Sequence, residues 1–198
     1  MTRWKTIEGE TPIDPSDLRN PSNITTRGEL SKAEAANINS AFVKYLAARP
    51  NQRLAPFDYG WLLRLHREMF GDVWLWAGKT RTRDLNLGSP HFQVTEHLAA
   101  LVDDLHSWTE FGHSIEQQAV WLHHRAVRIH PFPNGNGRWA RLASNIWLAR
   151  NAKPLVLWPD QVLGSTSIVR NEYLAALRAA DAGSDSDLIA LHARFTGS

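Results

Sequence analysis

Apolar residues at helical spacing run through most of this 198-residue chain. In several windows they recur three or four positions apart, which gives an α-helix one apolar face. Most windows begin after a residue that caps helices well and end at glycine or before proline. The pattern therefore predicts a mostly α protein, with helices over residues 31–49, 58–70, 96–108, 115–129, 137–150, 170–181 and 185–195.

The first of these helices sets the predicted domain boundary. Ser31 is a good N-cap, and Glu34 follows three positions later, as in a capping box. Residues 1–30 are rich in Pro, Thr, Ser, Asn and Asp, which is typical of an extended arm without a core of its own. The sequence thus predicts an N-terminal arm over residues 1–30 and one helical domain over residues 31–198.

One segment breaks the helical spacing. Between residues 73 and 95 the apolar positions are irregular, and Gly88-Ser89-Pro90 is a turn sequence. The residues on its two sides, 84–87 and 91–94, are predicted to pair as short strands. A small β-hairpin is therefore expected within the helical fold.

Composition excludes several classes of site. The chain has no cysteine, so it forms neither disulfides nor thiolate metal sites. A membrane-spanning helix needs about 20 apolar residues, and no apolar run of the sequence is that long. The first residues lack the apolar core of a signal peptide. A cytoplasmic protein without a membrane partner is therefore expected.

The charges of the chain are nearly balanced. Lysine and arginine number 22 against 20 acidic residues, and they are mixed along the chain, which argues against a nucleic-acid partner. The isoelectric point of about 9.1 keeps direct DNA binding as a weak alternative.

Residues 130–141, HPFPNGNGRWAR, combine groups that suit phosphate chemistry. Gly135 and Gly137 can adopt backbone angles closed to other residues, and such a bend points successive N–H groups inward as an anion-binding nest. The bend also opens a predicted helix, whose first N–H groups and dipole favour a phosphate. Arg138 and Arg141 lie one turn apart on that helix, and each guanidinium can bind phosphate oxygens in a fork. The stretch therefore predicts a cradle for a polyphosphate.

His130 ends the preceding helix at the edge of this cradle. The unperturbed pKa of a histidine, about 6.5, suits a general base near neutral pH. Pro131 and Pro133 stiffen the chain that follows it. The prediction requires an imidazole that faces a cavity and guanidinium groups that are not held in internal ion pairs.

Eight positions of this stretch resemble the signature of the Fic domain family, and they keep its spacing. They are His130, Pro131, Phe132, Gly135, Asn136, Gly137, Arg138 and Arg141. The resemblance continues in ITTRGEL, in LHREMFGDVWLWAGKTR and in EYLAALRAADAG, which are similar to a Fic group called mobile mystery protein B. It covers nearly the whole chain and implies a Fic-type helical bundle with a small β-hairpin flap.

The resemblance implies an activity: transfer of AMP from ATP to a hydroxyl side chain of a target protein (AMPylation). His130 would deprotonate the serine, threonine or tyrosine of the target. Asn136, with the amides of the two flanking glycines, would hold the α- and β-phosphates. Arg138 would contact the β-phosphate and Arg141 the γ-phosphate, and pyrophosphate would leave after in-line attack at the α-phosphorus.

Asn134 departs from the family pattern, which usually carries Asp or Glu at this position as a ligand of Mg²⁺. An amide oxygen can ligate a hard cation, but it adds no negative charge. Three interpretations stay open: activity with weaker metal binding, a different phosphate-containing donor, or a non-catalytic regulatory scaffold in a toxin–antitoxin-like pair. We favour a working transferase that uses ATP and Mg²⁺.

The predicted hairpin resembles the Fic flap, on which an extended segment of the target docks beside the catalytic histidine. An edge strand suits this task because its backbone pairs with that of the target. The docking residues would be Leu85, Leu87, Gly88 and Gln93.

Many Fic proteins also carry an inhibitory helix, in which a Ser or Thr precedes a Glu by four positions and Gly or Asn follows that Glu. Glu29 stands four positions after Thr25, but Leu30 follows it. Glu29 is thus the candidate inhibitory residue, and an antitoxin-like partner is the alternative source of control.

Overall fold

The structure is a computed structural model that describes residues 14–20, 23–159, 163–164 and 167–197. The described residues are mostly helical, so the predicted fold class is confirmed in this respect. The α-helices are α1 (Arg27–Leu46), α2 (Tyr59–Phe70), α3 (Val94–Glu110), α4 (Ile115–Ile129), α5 (Asn136–Arg150), α6 (Ile168–Asp181) and α7 (Ser186–Phe195). Over this part of the chain, no helix is both long enough and apolar enough to cross a membrane.

Helix α1 begins four residues earlier than predicted. Thr26 is its N-cap: the Thr26 hydroxyl accepts the Glu29 N–H at 3.2 Å, and the Glu29 carboxylate accepts the Thr26 N–H at 2.9 Å. This reciprocal pair is a capping box, so Glu29 has the role that the sequence assigned to Glu34. The predicted capping role of Glu34 is therefore wrong, and α1 extends into the predicted arm.

The cap predicted before residue 115 is confirmed, the one predicted before residue 96 is wrong, and α2 has a cap as well. The Asp58 carboxylate accepts the Trp61 N–H at 2.6 Å at the start of α2. The Ser114 hydroxyl accepts the Gln117 N–H at 3.2 Å at the start of α4. Thr95 is not a cap, because α3 already begins at Val94 directly after a turn of 3-10 helix over His91–Gln93.

Helix α5 lies at the centre of the fold and is buried over most of its length. The Trp139 indole N–H donates to the Leu62 carbonyl of α2 at 3.1 Å, and the Ser144 hydroxyl donates to the Ala119 carbonyl of α4 at 2.8 Å. Full burial of a large apolar side chain stabilises a fold by about 1.5–3 kcal/mol. The packing of α5 on α2 and α4 therefore holds the end of α4 and the start of α5 in fixed positions in the fold.

The predicted β-hairpin is absent. No strand occurs among the described residues, whose only bridges are the isolated pairs Leu18–Trp74 and Val156–Thr196. The segment over residues 82–90, here called the 82–90 loop, bonds instead to its surroundings: the Ser89 N–H donates to the Ile129 carbonyl at 3.2 Å, and the Asp84 carboxylate accepts the His91 N–H at 2.7 Å. Contacts with α4 and a side-chain cap thus replace strand pairing.

Candidate active site

One large cleft contains every predicted residue of the cradle. Its walls come from α1, the 82–90 loop, α3, α4, α5 and α6. The predicted residues that line it are His130, Asn134, Gly135, Asn136, Gly137, Arg138 and Arg141, together with Leu87 and Gly88 from the 82–90 loop. The histidine, the bend and the helix start therefore share one cavity.

The chain turns sharply as it leaves α4. His130 caps that helix in the left-handed conformation, with φ 52° and ψ 58°. This region is uncommon for residues other than glycine and often occurs at functional sites. The buried Arg81 holds the turn in place: its Nε donates to the His130 carbonyl at 2.7 Å, and its backbone N–H donates to the Pro131 carbonyl at 2.9 Å.

The His130 imidazole is neutral and able to accept a proton. Its Nδ1 lies 3.3 Å from the Val127 carbonyl, and because a carbonyl only accepts, Nδ1 carries the hydrogen. The lone pair is then on Nε2. Burial is the main factor that lowers the pKa of His130 to about 4, and the positive charge of Arg81 acts in the same direction.

Gly135 is the position of the loop that requires glycine. Its φ is +80°, and a Cβ there would lie 2.6 Å from the Phe70 ring and 3.3 Å from His66 Nε2. Both the backbone angle and the close approach exclude a side chain. The loop can therefore pack directly on α2 and turn into α5.

The Arg141 guanidinium lies at the start of α5. A Cβ built on Gly137 would be 3.3 Å from Arg141 Nη1, so the side chain folds back along the helix to its first turn. Free N–H groups and the helix dipole attract anions at this end. The missing side chain at Gly137 leaves room for the guanidinium, and positive charge is concentrated where the cradle was predicted.

Arg138 is held in an internal ion pair. Its Nη1 lies 2.6 Å from Glu34 Oε2, and the guanidinium carbon lies 4.8 Å from the centre of the Phe70 ring. The other carboxylate oxygen of Glu34 accepts the Trp74 indole N–H at 2.7 Å. The expectation of unpaired guanidinium groups is therefore wrong for Arg138. A carboxylate from α1 stands beside the cradle and opposes the binding of an anion.

Asn136 stabilises the loop through its side chain. Its Oδ1 accepts the Phe132 N–H at 2.9 Å, and its Nδ2 donates to the Phe132 carbonyl at 2.8 Å, in a buried position. Both polar groups of the side chain thus bind backbone, and the phosphate contact of Asn136 stays a prediction. The Asn136 N–H remains one of the first N–H groups of α5, where an anion would be bound.

Asn134 does not provide the metal site that the family resemblance implies. Its Oδ1 accepts the Gly135 N–H at 2.6 Å, so the amide is turned onto the loop. Mg²⁺ is usually bound through carboxylates and phosphate oxygens. The described residues contain no group of three or more His, Cys, Asp or Glu side chains that could hold a metal ion. The side chains around Asn134 therefore do not fit a protein-bound Mg²⁺.

His66 is a residue of the site that the sequence analysis missed. Its ring stacks on Phe132 at 3.6 Å between centres, its Nε2 donates to the Asn134 carbonyl at 3.0 Å, and its Nδ1 accepts the Gly78 N–H at 3.0 Å. Burial lowers the pKa of His66 to about 3, so it is neutral. The one available signal was a polar residue within the apolar face of α2.

The remaining predicted residues lie in different surroundings. Glu29 is exposed, caps α1 and lines a separate small cavity, so the structure does not bring it to the arginines. Leu87 is 59% exposed at the cleft, and a Cβ on Gly88 would lie 2.5 Å from His130 Cβ. Leu85 and Gln93 do not line the cleft. The middle of the predicted flap therefore borders the site, although it is a loop.

Comparisons with known proteins find related sequences. Residues 56–148 match the model of the Fic/DOC family. "Protein adenylyltransferase fic-1" of Caenorhabditis briggsae is 34% identical over 128 residues, which are 62% of this chain and 24% of that protein. "Protein adenylyltransferase VbhT" of Bartonella schoenbuchensis is 29% identical over 153 residues, which are 71% of this chain and 30% of that protein.

The solved structures include a chain with the same fold. Fic-1 from C. elegans (residues 134–508) superposes with a TM-score of 0.68 at 24% identity, covering 96% of this chain and 51% of that chain. This chain spans only 24% and 30% of the length of the two curated relatives above. The matching family model, the curated relatives and the shared fold together lead to one conclusion: residues 56–148 of this chain match the Fic/DOC family, and the chain has the fold of a Fic protein.

Proposed function

We propose that this protein transfers AMP from ATP to a serine, threonine or tyrosine hydroxyl of a target protein. The observation that carries the proposal is a neutral imidazole, that of His130, in the same cleft as the anion-binding start of α5. The names of the two curated relatives, both protein adenylyltransferases, support the same reaction class.

The proposed reaction assigns one task to each group. Nε2 of His130 accepts the proton of the target hydroxyl, and the oxygen attacks the α-phosphorus of ATP. The bond between the α-phosphorus and the bridging oxygen breaks, and pyrophosphate leaves. The first N–H groups of α5 and the Arg141 guanidinium neutralise the phosphate charge and position the phosphates. These two effects supply most of the catalysis in phosphoryl transfer. No step is assigned to a protein-bound metal.

The test uses ATP labelled on either its α- or its γ-phosphorus, incubated with the protein and a bacterial lysate. AMP transfer labels a protein band from α-labelled ATP and not from γ-labelled ATP. His130→Ala should abolish the label. His113→Ala is the matched control, because His113 is exposed and does not line the cleft. Label from γ-labelled ATP would indicate phosphate transfer and contradict the proposal.

A second candidate is a regulatory module that binds nucleotide without chemistry. Two observations favour it: the inward-turned amide of Asn134 and the ion pair between Glu34 and Arg138. Calorimetry with ATP and Mg²⁺ separates the candidates when it is combined with the labelling assay. Binding of ATP without label, by both the wild type and Asn134→Asp, would support the regulatory module.

Further proposals follow from the sequence analysis. The chain is assigned to the mobile mystery protein B group, acts in the cytoplasm and is controlled by an antitoxin-like partner. The target segment docks along the 82–90 loop beside Leu87 and Gly88. Replacing Leu87 with proline should abolish target labelling and spare ATP binding, and retained labelling would contradict this docking site.

A further inference from the structure

A buried chain of hydrogen bonds links three helices behind the cradle. The Tyr173 hydroxyl of α6 lies 2.9 Å from His123 Nε2 of α4, and His123 Nδ1 lies 2.9 Å from His192 Nε2 of α7. His123 is fully buried, and the other two residues are each 6% exposed. The reaction proposed above uses none of them.

This chain of hydrogen bonds ends next to Arg141. The guanidinium carbon of Arg141 lies 5.7 Å from the centre of the Tyr173 ring, and its Nη1 lies against Gly137 at the start of α5. Tyr173 also lines the cleft. Burial, the neighbouring His192 and then the charge of Arg141 lower the pKa of His123 well below its usual value, so the His123 ring is neutral.

The bond at the Tyr173 hydroxyl holds the end of the side chain in place, and two neighbouring rings restrict the tilt of its ring. His123 stacks on the ring at 5.7 Å between centres with an interplanar angle of 20°, and Trp158 meets it at 5.8 Å with an angle of 68°. A cation is attracted to the face of an aromatic ring and not to its edge. A ring of fixed tilt therefore also fixes where the guanidinium is most stable.

We propose that Tyr173 is a positioning residue for Arg141, and that His123 and His192 hold the Tyr173 ring in the orientation that keeps the guanidinium at the phosphate cradle. The inference rests on the proposed function, because it assumes that the cradle binds the phosphates of a nucleotide. It adds a second layer of residues that no part of the signature stretch contains.

The test is a double-mutant cycle on ATP affinity, measured by calorimetry on the full chain. Tyr173→Phe keeps the ring and removes the hydroxyl, and it should weaken ATP binding about tenfold, within the range of coupled neighbours. In an Arg141→Ala background, Tyr173→Phe should change ATP affinity by less than about twofold, because Tyr173 acts through the absent guanidinium.

Tyr45→Phe is the matched control. Tyr45 is also buried, contacts Trp61 edge-on at 5.9 Å between ring centres and does not line the cleft, so this variant should bind ATP like the wild type. If Tyr173→Phe fails to fold, His192→Phe at the far end of the chain replaces it, with weaker ATP binding expected in the same direction.

The outcomes separate the inference from the proposed function. Equal weakening by Tyr173→Phe in both backgrounds would mean a merely structural role and would overturn the inference. Unchanged affinity in Tyr173→Phe or in His192→Phe would also overturn it. Absence of ATP binding by the wild type would instead refute the proposed function and, with it, the inference.

Discussion

Replacing Gly135 with alanine tests whether the loop depends on direct backbone packing against α2. The new Cβ would lie 2.6 Å from the Phe70 ring, at a backbone φ of +80°. The left-handed conformation costs a residue with a Cβ about 1–2 kcal/mol, and overpacking of a buried site costs about 1–3 kcal/mol. The free energy of unfolding should therefore fall by about 2–5 kcal/mol.

Gly112→Ala is the control that separates the two contributions. Gly112 has a φ of +75°, but no atom lies within 4 Å of a Cβ built there. Its substitution should cost only the backbone part, about 1–2 kcal/mol. For a domain of this size, each 1 kcal/mol lowers the melting temperature by about 2–4 °C. Gly135→Ala should thus melt about 4–20 °C below the wild type and Gly112→Ala about 2–8 °C below it.

The measurement is thermal unfolding by circular dichroism, with urea unfolding to give free energies. Equal destabilisation by the two substitutions would refute the reasoning, because it would mean that the contact with Phe70 contributes nothing. A folded Gly135→Ala protein that still labels its target as the wild type does would also contradict the role of this loop in the site.

Three further predictions concern the charges and hydrogen bonds of the cleft. Because His130 has a pKa of about 4, the rate of AMP transfer by the ATP-bound enzyme should stay level from pH 8 down to pH 6. A loss of rate centred at about pH 6.5 in a pH–rate profile would contradict the neutral base. Glu34→Gln keeps an acceptor for the Trp74 indole and removes the negative charge beside Arg138, so calorimetry should show ATP affinity increased about two- to fivefold. Weaker ATP binding would mean that the ion pair with Glu34 orients Arg138 for phosphate. His66→Phe keeps the stack on Phe132 but leaves two partly buried backbone groups, the Asn134 carbonyl and the Gly78 N–H, without this partner. Urea unfolding should show a loss of about 1–3 kcal/mol, and a loss below about 0.5 kcal/mol would contradict the role of His66 in holding the loop.

Stability should also depend on pH through the buried histidines. The folded-state pKa values of His66, His130 and His192 lie at about 3, 4 and 4, below the unfolded value of 6.5. The unfolded chain therefore binds more protons as the pH falls below 6.5, so the stabilisation present above that pH is progressively lost. Urea unfolding at pH 7 and pH 5 should show lower stability at pH 5, and a higher value there would contradict the neutral state of these rings.

Much of the helical framework was predictable because its signals are local. Apolar spacing, the caps at Asp58 and Ser114 and the glycine after α2 act within one or two turns of the chain. The hairpin was predicted wrongly for the converse reason. Its apolar spacing was irregular, and one turn sequence supported the pairing. Whether the segment paired depended on Arg81 and on the Ile129 carbonyl at the end of α4, which bind the 82–90 loop instead.

The sequence by itself determined the elements of the cradle: a bend at Gly135, a helix start and arginines one turn apart, all within residues 130–141. Only the tertiary structure decided how those elements are used. Glu34 reaches Arg138 across 104 positions, and His66 reaches Asn134 across 68. Residues so distant in sequence meet only because the packing of α1 and α2 on α5 sets their separation, and no local pattern encodes that distance. The same packing makes Asn136 a support of the loop and leaves Arg141 at the helix start.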